Sequence, residues 1–163
     1  MNNIIYRKIS DKDKAWINNF IRKHWGTDEV VVHKEIYYPG KLKGFVAEDK
    51  KRRIGLITYK IEKQNCEIVT LNSIVENKGI GTHLVNMVVA EAKDKKCKKI
   101  RLTTTNDNIK GIYFYQKLGF QLVNVYPNAV EDSRKIKPEI PMESENGIRI
   151  RDELEFNLKL TAI

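Results

Sequence analysis

The spacing of apolar residues changes several times along this chain, and each change predicts an element. Residues 66–75 (C-E-I-V-T-L-N-S-I-V) form a short apolar run rich in Ile, Val and Thr, which predicts a largely buried strand. After E-N-K-G-I-G, the apolar positions Leu84, Val85, Val88, Val89 and Ala92 take up helical spacing and predict a helix with one face on a core. Residues 99–105 (K-I-R-L-T-T-T) return to strand composition. A strand–helix–strand unit of this kind implies parallel pairing through a right-handed crossover. Upstream, residues 43–48 and 53–62 read as strands joined by a charged turn, and Lys63-Gln64-Asn65 turns back into the run at residue 66. Those three strands form an antiparallel meander.

The two ends are patterned less sharply. Residues 3–8 predict a first strand, and Ser10 or Asp11 can cap a helix carrying Ala15, Trp16, Phe20 and Ile21 on one side, with Gly26 ending it. Residues 27–42 give mixed signals: Val30, Val31 and Val32 fit a strand or a short helix, and Pro39-Gly40 marks a turn. Trp25, Tyr37 and Tyr38 fit either a pocket rim or simple packing. Asn106-Asp107-Asn108 is a turn and cap cluster before a helix over residues 109–118, which Gly119 stops. Residues 120–126 predict a strand, and the alternation of Leu154, Phe156, Leu158 and Leu160 predicts a last one over residues 150–160. Between them, residues 127–147 hold three of the four prolines and many charges, which predicts a long irregular excursion. The length of 163 residues fits one domain spanning residues 1–163, with no internal repeat.

Composition narrows the class. Hydrophobic residues make up 41% and charged residues 31%, the balance of a soluble globular chain. No apolar run reaches membrane-spanning length and the N-terminus lacks a signal-peptide core, so a cytoplasmic protein with no membrane partner is expected. Cys66 and Cys97 make no disulfide framework and read as reduced thiols. The net charge is +9, but the lysines are scattered, and the densest run, residues 93–99, lies where a helix ends and complements its dipole. With no aromatic platforms interleaved among these cations, no nucleic-acid partner is expected. The charge would still steer an anionic ligand. Both a monomer and a homodimer fit the composition.

One stretch carries candidate chemistry. Gly79 and Gly81 permit a tight turn and a close approach to backbone, and they open a helix whose first N–H groups point outward at the positive end of its dipole. That is an anion site suited to phosphate, with Thr82 available as a cap in the first turn. Leu84 occupies the third position of a G-x-G-x-x-G, so a dinucleotide fingerprint is excluded, and no G-K-[ST] follows to make a P-loop. His24, His33 and His83 are too dispersed to suggest a metal. What remains is a pyrophosphate cradle built of backbone.

Three features resemble the GNAT acetyltransferase superfamily. E-N-K-G-I-G-T is similar to its acetyl-CoA pyrophosphate loop, with Glu76 where the family pattern has Arg or Gln. N-I-K-G-I-Y-F-Y-Q-K-L-G-F, residues 108–120, is similar to its Asn-x-x-Ala-x-x-x-Tyr-x-x-x-Gly-Phe helix, with Gly111 in place of Ala. The element order also matches over nearly the whole chain. The resemblance implies an α/β (α+β) fold: a mixed, mostly antiparallel twisted sheet of about six to seven strands flanked by helices and splayed between the family's strands 4 and 5, here residues 66–75 and 99–105. It implies acetyl transfer from acetyl-CoA to an amine by direct attack in a ternary complex, without a metal. The alternative is a catalytically silent acyl-CoA-binding domain on the same fold. It assigns Leu71, Asn72 and Ser73 to the strand edge that carries the pantetheine arm, with the Leu71 N–H facing the oxyanion. Asn77, Lys78, Gly79, Ile80, Gly81 and Thr82 fall on the pyrophosphate loop, and Asn108 beside the cofactor. Tyr115 matches the family tyrosine near the cofactor sulfur and is the candidate general acid. Glu67, in a C-E-I-V run similar to the A-E-I-V of histone-type members, is the candidate base, its carboxyl expected among apolar neighbours that raise its pKa. The 127–147 insert is expected to wall the acceptor pocket. The acceptor stays open between a polyamine-like or aminoglycoside-like molecule, a free amino acid and a protein amine.

Overall fold

Strand pairing in the computed structural model, which describes residues 3–161, follows the predicted meander and then departs from it at one point. The elements are β1 (Ile5–Lys8), α1 (Lys14–Trp25), β2 (Val30–Val32), β3 (Glu35–Tyr37), β4 (Lys43–Asp49), β5 (Arg52–Glu62), β6 (Asn65–Ser73), α2 (Ile80–Asp94), β7 (Lys99–Thr105), α3 (Ile109–Lys117), β8 (Gln121–Tyr126), α4 (Ala129–Ile136) and β9 (Glu153–Lys159). Seven strands form one sheet in the order β1-β4-β5-β6-β7-β9-β8, and β2 pairs with β3 in a separate hairpin. Among these pairings only β6 with β7 is parallel, as the crossover through α2 requires.

Side-chain alternation divides the core between the two faces of the sheet. Phe45, Ile57, Tyr59, Cys66, Ile68, Ile100, Leu102 and Phe156 pack on the α2 face, where Ile80, Leu84, Val85, Val88 and Ala92 form the stripe read from the sequence. Val46, Leu56 and Val69 pack on the opposite face with Ile17, Phe20 and Ile21 of α1. The chain before α1 is set by charge. Asp13 is fully buried; Arg7 of β1 grips it with both guanidinium nitrogens at 2.7 and 2.9 Å, and Arg53 of β5 adds a third contact at 2.9 Å. The Ser10 N–H donates to the same carboxylate at 2.8 Å. The Arg7 pair holds the Asp13 carboxyl far below the usual carboxylate range.

Two features of β6 position everything that follows. Tyr59 pairs with Ile68 and Thr58 with Thr70, so Val69 is an extra residue, a β-bulge. In addition, β6 pairs with β7 only from Asn65/Lys99 to Ile68/Leu102, after which both strands continue, to Ser73 and Thr105, without pairing to each other. The expected splay is this gap.

Two regions differ from expectation. Residues 27–42, which gave mixed signals, contain the β2–β3 hairpin, closed by His33 and Lys34 at φ +49° and +66°. Nothing in His-Lys signals such a turn, which ordinarily takes Asn-Gly or Asp-Gly. Residues 127–147, expected to be irregular, contain α4. Val130 and Ser133 of that helix are buried, and Pro127 and Pro138 lie just outside its two ends, where proline does not interrupt it.

The Asp13 cluster generates a stability prediction. Asp13→Asn should lower unfolding free energy by about 3 kcal/mol at neutral pH, the scale of breaking a buried ion pair. A depressed carboxyl pKa stabilises the fold above the unfolded-state value of about 3.9 and loses that contribution as pH falls through the folded-state value. Urea unfolding of the two proteins should therefore converge as the solution is acidified below about pH 4. A constant difference at every pH would assign the loss to packing instead.

Candidate active site

Where β6 and β7 part, two cavities meet. The first, of about 520 Å³, is bounded by the end of β6, the loop before α2 and the start of α3. Leu71, Ser73, Asn77, Lys78, Gly79, Ile80, Gly81, Thr82, Asn108 and Tyr115 all line it. Gly79 caps α2 in the left-handed region at φ +69°, and the first helical bond runs from His83 N–H to Gly79 C=O at 3.0 Å. No intramolecular acceptor takes the N–H groups of Ile80, Gly81 or Thr82 among the described residues. A Cβ built on Gly79 meets nothing within 4 Å, so the space before the helix end is open. Free N–H groups at the positive end of a fifteen-residue helix, facing an open cavity, fit a diphosphate. Glu76, at the position the family pattern gives to Arg or Gln, sits 3.3 Å from Lys110 Nζ at the mouth.

The second cavity, of about 620 Å³, lies beyond the gap. Trp25, Val30, Val31, Val32 and Val69 give it an apolar wall, and Thr103, Thr104 and Thr105 of β7 a hydroxylated one. Ser144, Glu145 and Asn146, from the chain that follows α4, close it. Leu71, Asn108, Lys110 and Tyr115 line both cavities, so the two form one cleft that crosses the sheet through the splay.

Tyr115 is positioned at that junction by aromatic packing, with ring centroids 5.3 Å from Phe114, 5.9 Å from Phe120 and 6.4 Å from Phe156. Burial pushes its phenol up to about 12, so near neutral pH it keeps its proton and has a hydrogen to donate. Asn108, which lines the same cavity, also has a structural duty. Its Oδ1 accepts the Gly111 N–H at 3.1 Å and its Nδ2 donates to Thr104 Oγ1 at 2.9 Å, so the side chain caps α3. A Cβ on Gly111 would stand 2.2 Å from Asn108 Nδ2, so alanine here would require the Asn108 side chain to shift.

Two expected residues stand elsewhere. Glu67 lines neither cavity of the cleft. On a regular strand it would share a face with Leu71, four positions on. The Val69 bulge reverses the alternation, so Leu71 packs toward α2 while Glu67 lies on the opposite face. Its surroundings are polar, contrary to expectation: Arg101 Nη2 donates to Glu67 Oε2 at 2.7 Å, and the Tyr37 hydroxyl lies 3.2 Å from the same oxygen. Asn72 likewise turns its side chain away, toward Trp16 and Phe20 of α1, and only its backbone follows the β6 edge. Sequence reasoning weighed His33 only as a metal ligand and passed over Thr103, because a side-chain contact across 70 residues leaves no local pattern.

A family model described as Acetyltransferase (GNAT) family matches residues 12–120. The chain belongs to the GNAT acetyltransferase family. Two relatives in Bacillus subtilis (strain 168) are similar over most of their length. Uncharacterized protein YdhI is 49% identical over 145 residues, 88% of this chain and 91% of that protein. Uncharacterized protein YxbD is 45% identical over 142 residues, 86% of this chain and 89% of that protein. Among solved structures, the IAA acetyltransferase from Bacillus cereus ATCC 14579 is similar with TM-score 0.74 and 19% identity, covering 97% of this chain and 100% of that one. A GNAT family acetyltransferase from Elizabethkingia anophelis with acetyl-CoA bound gives TM-score 0.70 and 21% identity, covering 98% and 100%. These likenesses establish the fold, and family membership supports acetyl transfer as the general chemistry of a GNAT cleft. Among the described residues no helix is long and apolar enough to cross a membrane, and no cluster of three or more His, Cys, Asp or Glu could hold a metal ion.

The helix end yields a binding prediction. Gly79→Val would place a branched side chain in the open space before α2, at a backbone conformation that costs an L-residue about 1–2 kcal/mol. Acetyl-CoA affinity measured by calorimetry should fall at least about tenfold in a folded variant, the loss of about 1.4 kcal/mol or more. An unchanged Kd would remove this helix end from the cofactor site. Gly81 is a poorer probe, because a Cβ there would stand 3.3 Å from the Phe114 ring and disturb packing between α2 and α3.

Proposed function

We propose that this protein is an N-acetyltransferase that moves an acetyl group from acetyl-CoA to a primary amine, with both substrates bound together in the cleft. The observation that carries this reading is the continuity of the two cavities through the β6–β7 splay, with Leu71 and Tyr115 at their junction. The diphosphate lies against the free N–H groups of Ile80, Gly81 and Thr82, and the pantetheine arm follows the β6 edge from Ser73 to Leu71. The thioester carbonyl reaches the gap, where the backbone N–H of Leu71 donates to the developing oxyanion. The amine enters from the second cavity and attacks the carbonyl carbon directly. The thiolate leaves beside Tyr115, whose phenol donates to it.

The second cavity supports a ternary complex over a silent acyl-CoA-binding domain, because a binding module has no use for an open space on the far side of the thioester. Glu67 remains a candidate base only at a distance. Its carboxylate already accepts from Arg101 at 2.7 Å and lines neither cavity of the cleft.

The test combines a binding and a turnover measurement. Thioester consumption is followed with acetyl-CoA and a panel of spermidine, kanamycin, free amino acids and a short peptide with a free N-terminus. Tyr115→Phe should lower kcat on the best acceptor by roughly 10²–10⁴ while leaving the acetyl-CoA Kd within about twofold. Tight acetyl-CoA binding with no turnover on any amine would support the silent binding domain instead.

A further inference from the structure

The hairpin that walls the acceptor side carries a histidine that no step above uses. His33 Nδ1 lies 2.8 Å from Glu153 Oε2, and the His33 backbone N–H donates to the same oxygen at 3.3 Å. Its other nitrogen, Nε2, lies 3.0 Å from Thr103 Oγ1. Thr103 lines the acceptor cavity. His33 lines a third cavity on the far side, of about 640 Å³, with Glu155 and Tyr126. The imidazole therefore bridges two spaces, touching the first through a hydroxyl and the second directly.

Glu153 is buried, and it is held from two directions: by His33 and by Ser133 of α4, whose hydroxyl donates to Glu153 Oε1 at 3.3 Å. A carboxylate on Nδ1 fixes the neutral tautomer, with the proton on Nδ1 and a lone pair on Nε2 directed at the Thr103 hydroxyl. The same carboxylate stabilises the ring once it becomes charged.

Resting on the acetyl-transfer reading, we propose that Thr103 and His33 form the route by which the acceptor amine loses its proton. Thr103 contacts the acceptor; His33 acts through it and is a positioning residue that holds the proton. The ammonium of the acceptor gives one N–H proton to Thr103 Oγ1 as the Thr103 hydroxyl proton passes to neutral His33 Nε2. The products are a free amine, a hydroxyl and an imidazolium. Proton count and charge are conserved, and no bond to carbon changes. The imidazolium then stands between Glu153, at 2.8 Å, and Glu155, whose Oε2 is 3.9 Å from Nε2, and gives its proton to water in the third cavity.

The charges around this ring set its pH behaviour. Glu153 and Glu155 face it from β9, Arg101 from β7 and Tyr126 from β8, the last with its ring centroid 4.5 Å away. On its own hairpin Lys34 pairs with Asp132 of α4 at 3.6 Å, and the Tyr37 hydroxyl donates to Glu35 at 2.8 Å. The hydrogen bond to Glu153 raises the imidazole pKa above its ordinary value, against the effect of burial. The neutral ring that accepts the proton therefore dominates only above that raised value, and turnover should climb through it.

The bland alternative is that His33 merely pins the hairpin to the sheet, and the test separates the two. Histidine-labelled wild type is titrated by NMR, and kcat is measured across pH on the best acceptor of the amine panel. The His33 midpoint should lie above about 6.5 and coincide with the acidic limb of the kcat profile. His33→Gln, which can still hydrogen-bond Thr103 but cannot titrate, should remove that limb and lower kcat at least about tenfold, with KM for acetyl-CoA within about twofold. Thr103→Val should do the same, Thr103→Ser should recover most of the loss, and the double variant should be no worse than either single one. A His33 that does not titrate between about pH 5 and 9, an acidic limb that survives His33→Gln, or Thr103→Ser falling as far as Thr103→Val overturns the relay while the transferase reading stands. A wild type that acetylates no amine overturns the transferase reading and the relay with it.

Discussion

The parting of β6 and β7 after Ile68 and Leu102 is the constraint on which the cleft depends. A closed parallel ladder there would satisfy the backbone of both strands and leave no passage between the faces of the sheet. The bulge at Val69 immediately follows Ile68, the last residue of β6 that pairs with β7. A bulge bends its strand and increases local twist, which turns β6 away from β7 at this point. The same extra residue turns Leu71 toward α2 and leaves Val69 and Glu67 on the face of α1 and the hairpin. One inserted residue thus opens the gap and decides which side chains border it.

The two sides of the gap differ in how they treat charge. On the α2 side the unpaired groups among the described residues are backbone N–H donors, and the side-chain charges at the mouth form an exposed pair, Glu76 with Lys110. Such a pair is worth at most about 1 kcal/mol. It offers little resistance to a diphosphate that draws Lys110 away, so Glu76 at an Arg or Gln position does not close the site. Across the gap, Glu67, Arg101, Glu153, Glu155, His33, Tyr37 and Tyr126 form a sheltered network in which each carboxylate has a donor. Unpaired charges there would be costly, and the pairing explains why four polar side chains from β6, β7 and β9 face the sheet's interior side at all.

Sequence reading recovered what is periodic. The Leu84–Val88–Ala92 stripe gave α2 its buried face, the glycine turn its place at the helix end, and the alternation from Leu154 to Leu160 the strand that lies between β7 and β8. It also gathered ten of the expected residues around one cavity, because they sit on local motifs. What it did not show is set by pairing. Glu67 was assigned by the resemblance of a local run and Asn72 by its place on the strand edge, and neither reveals the bulge, set by pairing with β5, that decides which face their side chains take. His33 reaches Thr103 across 70 residues of sequence, and the Val-rich β2 has no turn signal after it to announce a hairpin. α4 was hidden by the prolines and charges around it, although Pro127 and Pro138 mark its limits.

The segment after β8 shows why an excursion of this length can be ordered without a long helix of its own. Arg134 is nearly buried, and its guanidinium donates to the backbone carbonyls of Ile140 at 3.2 Å, Pro141 at 2.7 Å and Ile150 at 2.6 Å. A proline-rich chain has few N–H donors with which to satisfy its own carbonyls, and one arginine fork replaces them. Lys137, also buried, donates to the Glu29 carbonyl at 2.8 Å and ties the end of α4 to the chain before the hairpin. Ser133, just before Arg134 on the same helix, donates to Glu153. The fold of this segment therefore fixes two things together: the carboxylate behind His33, and the turn at Ser144–Asn146 that closes the second cavity. A change in its length would move both, and this couples the shape of that cavity's wall to the electrostatics of the network beneath it.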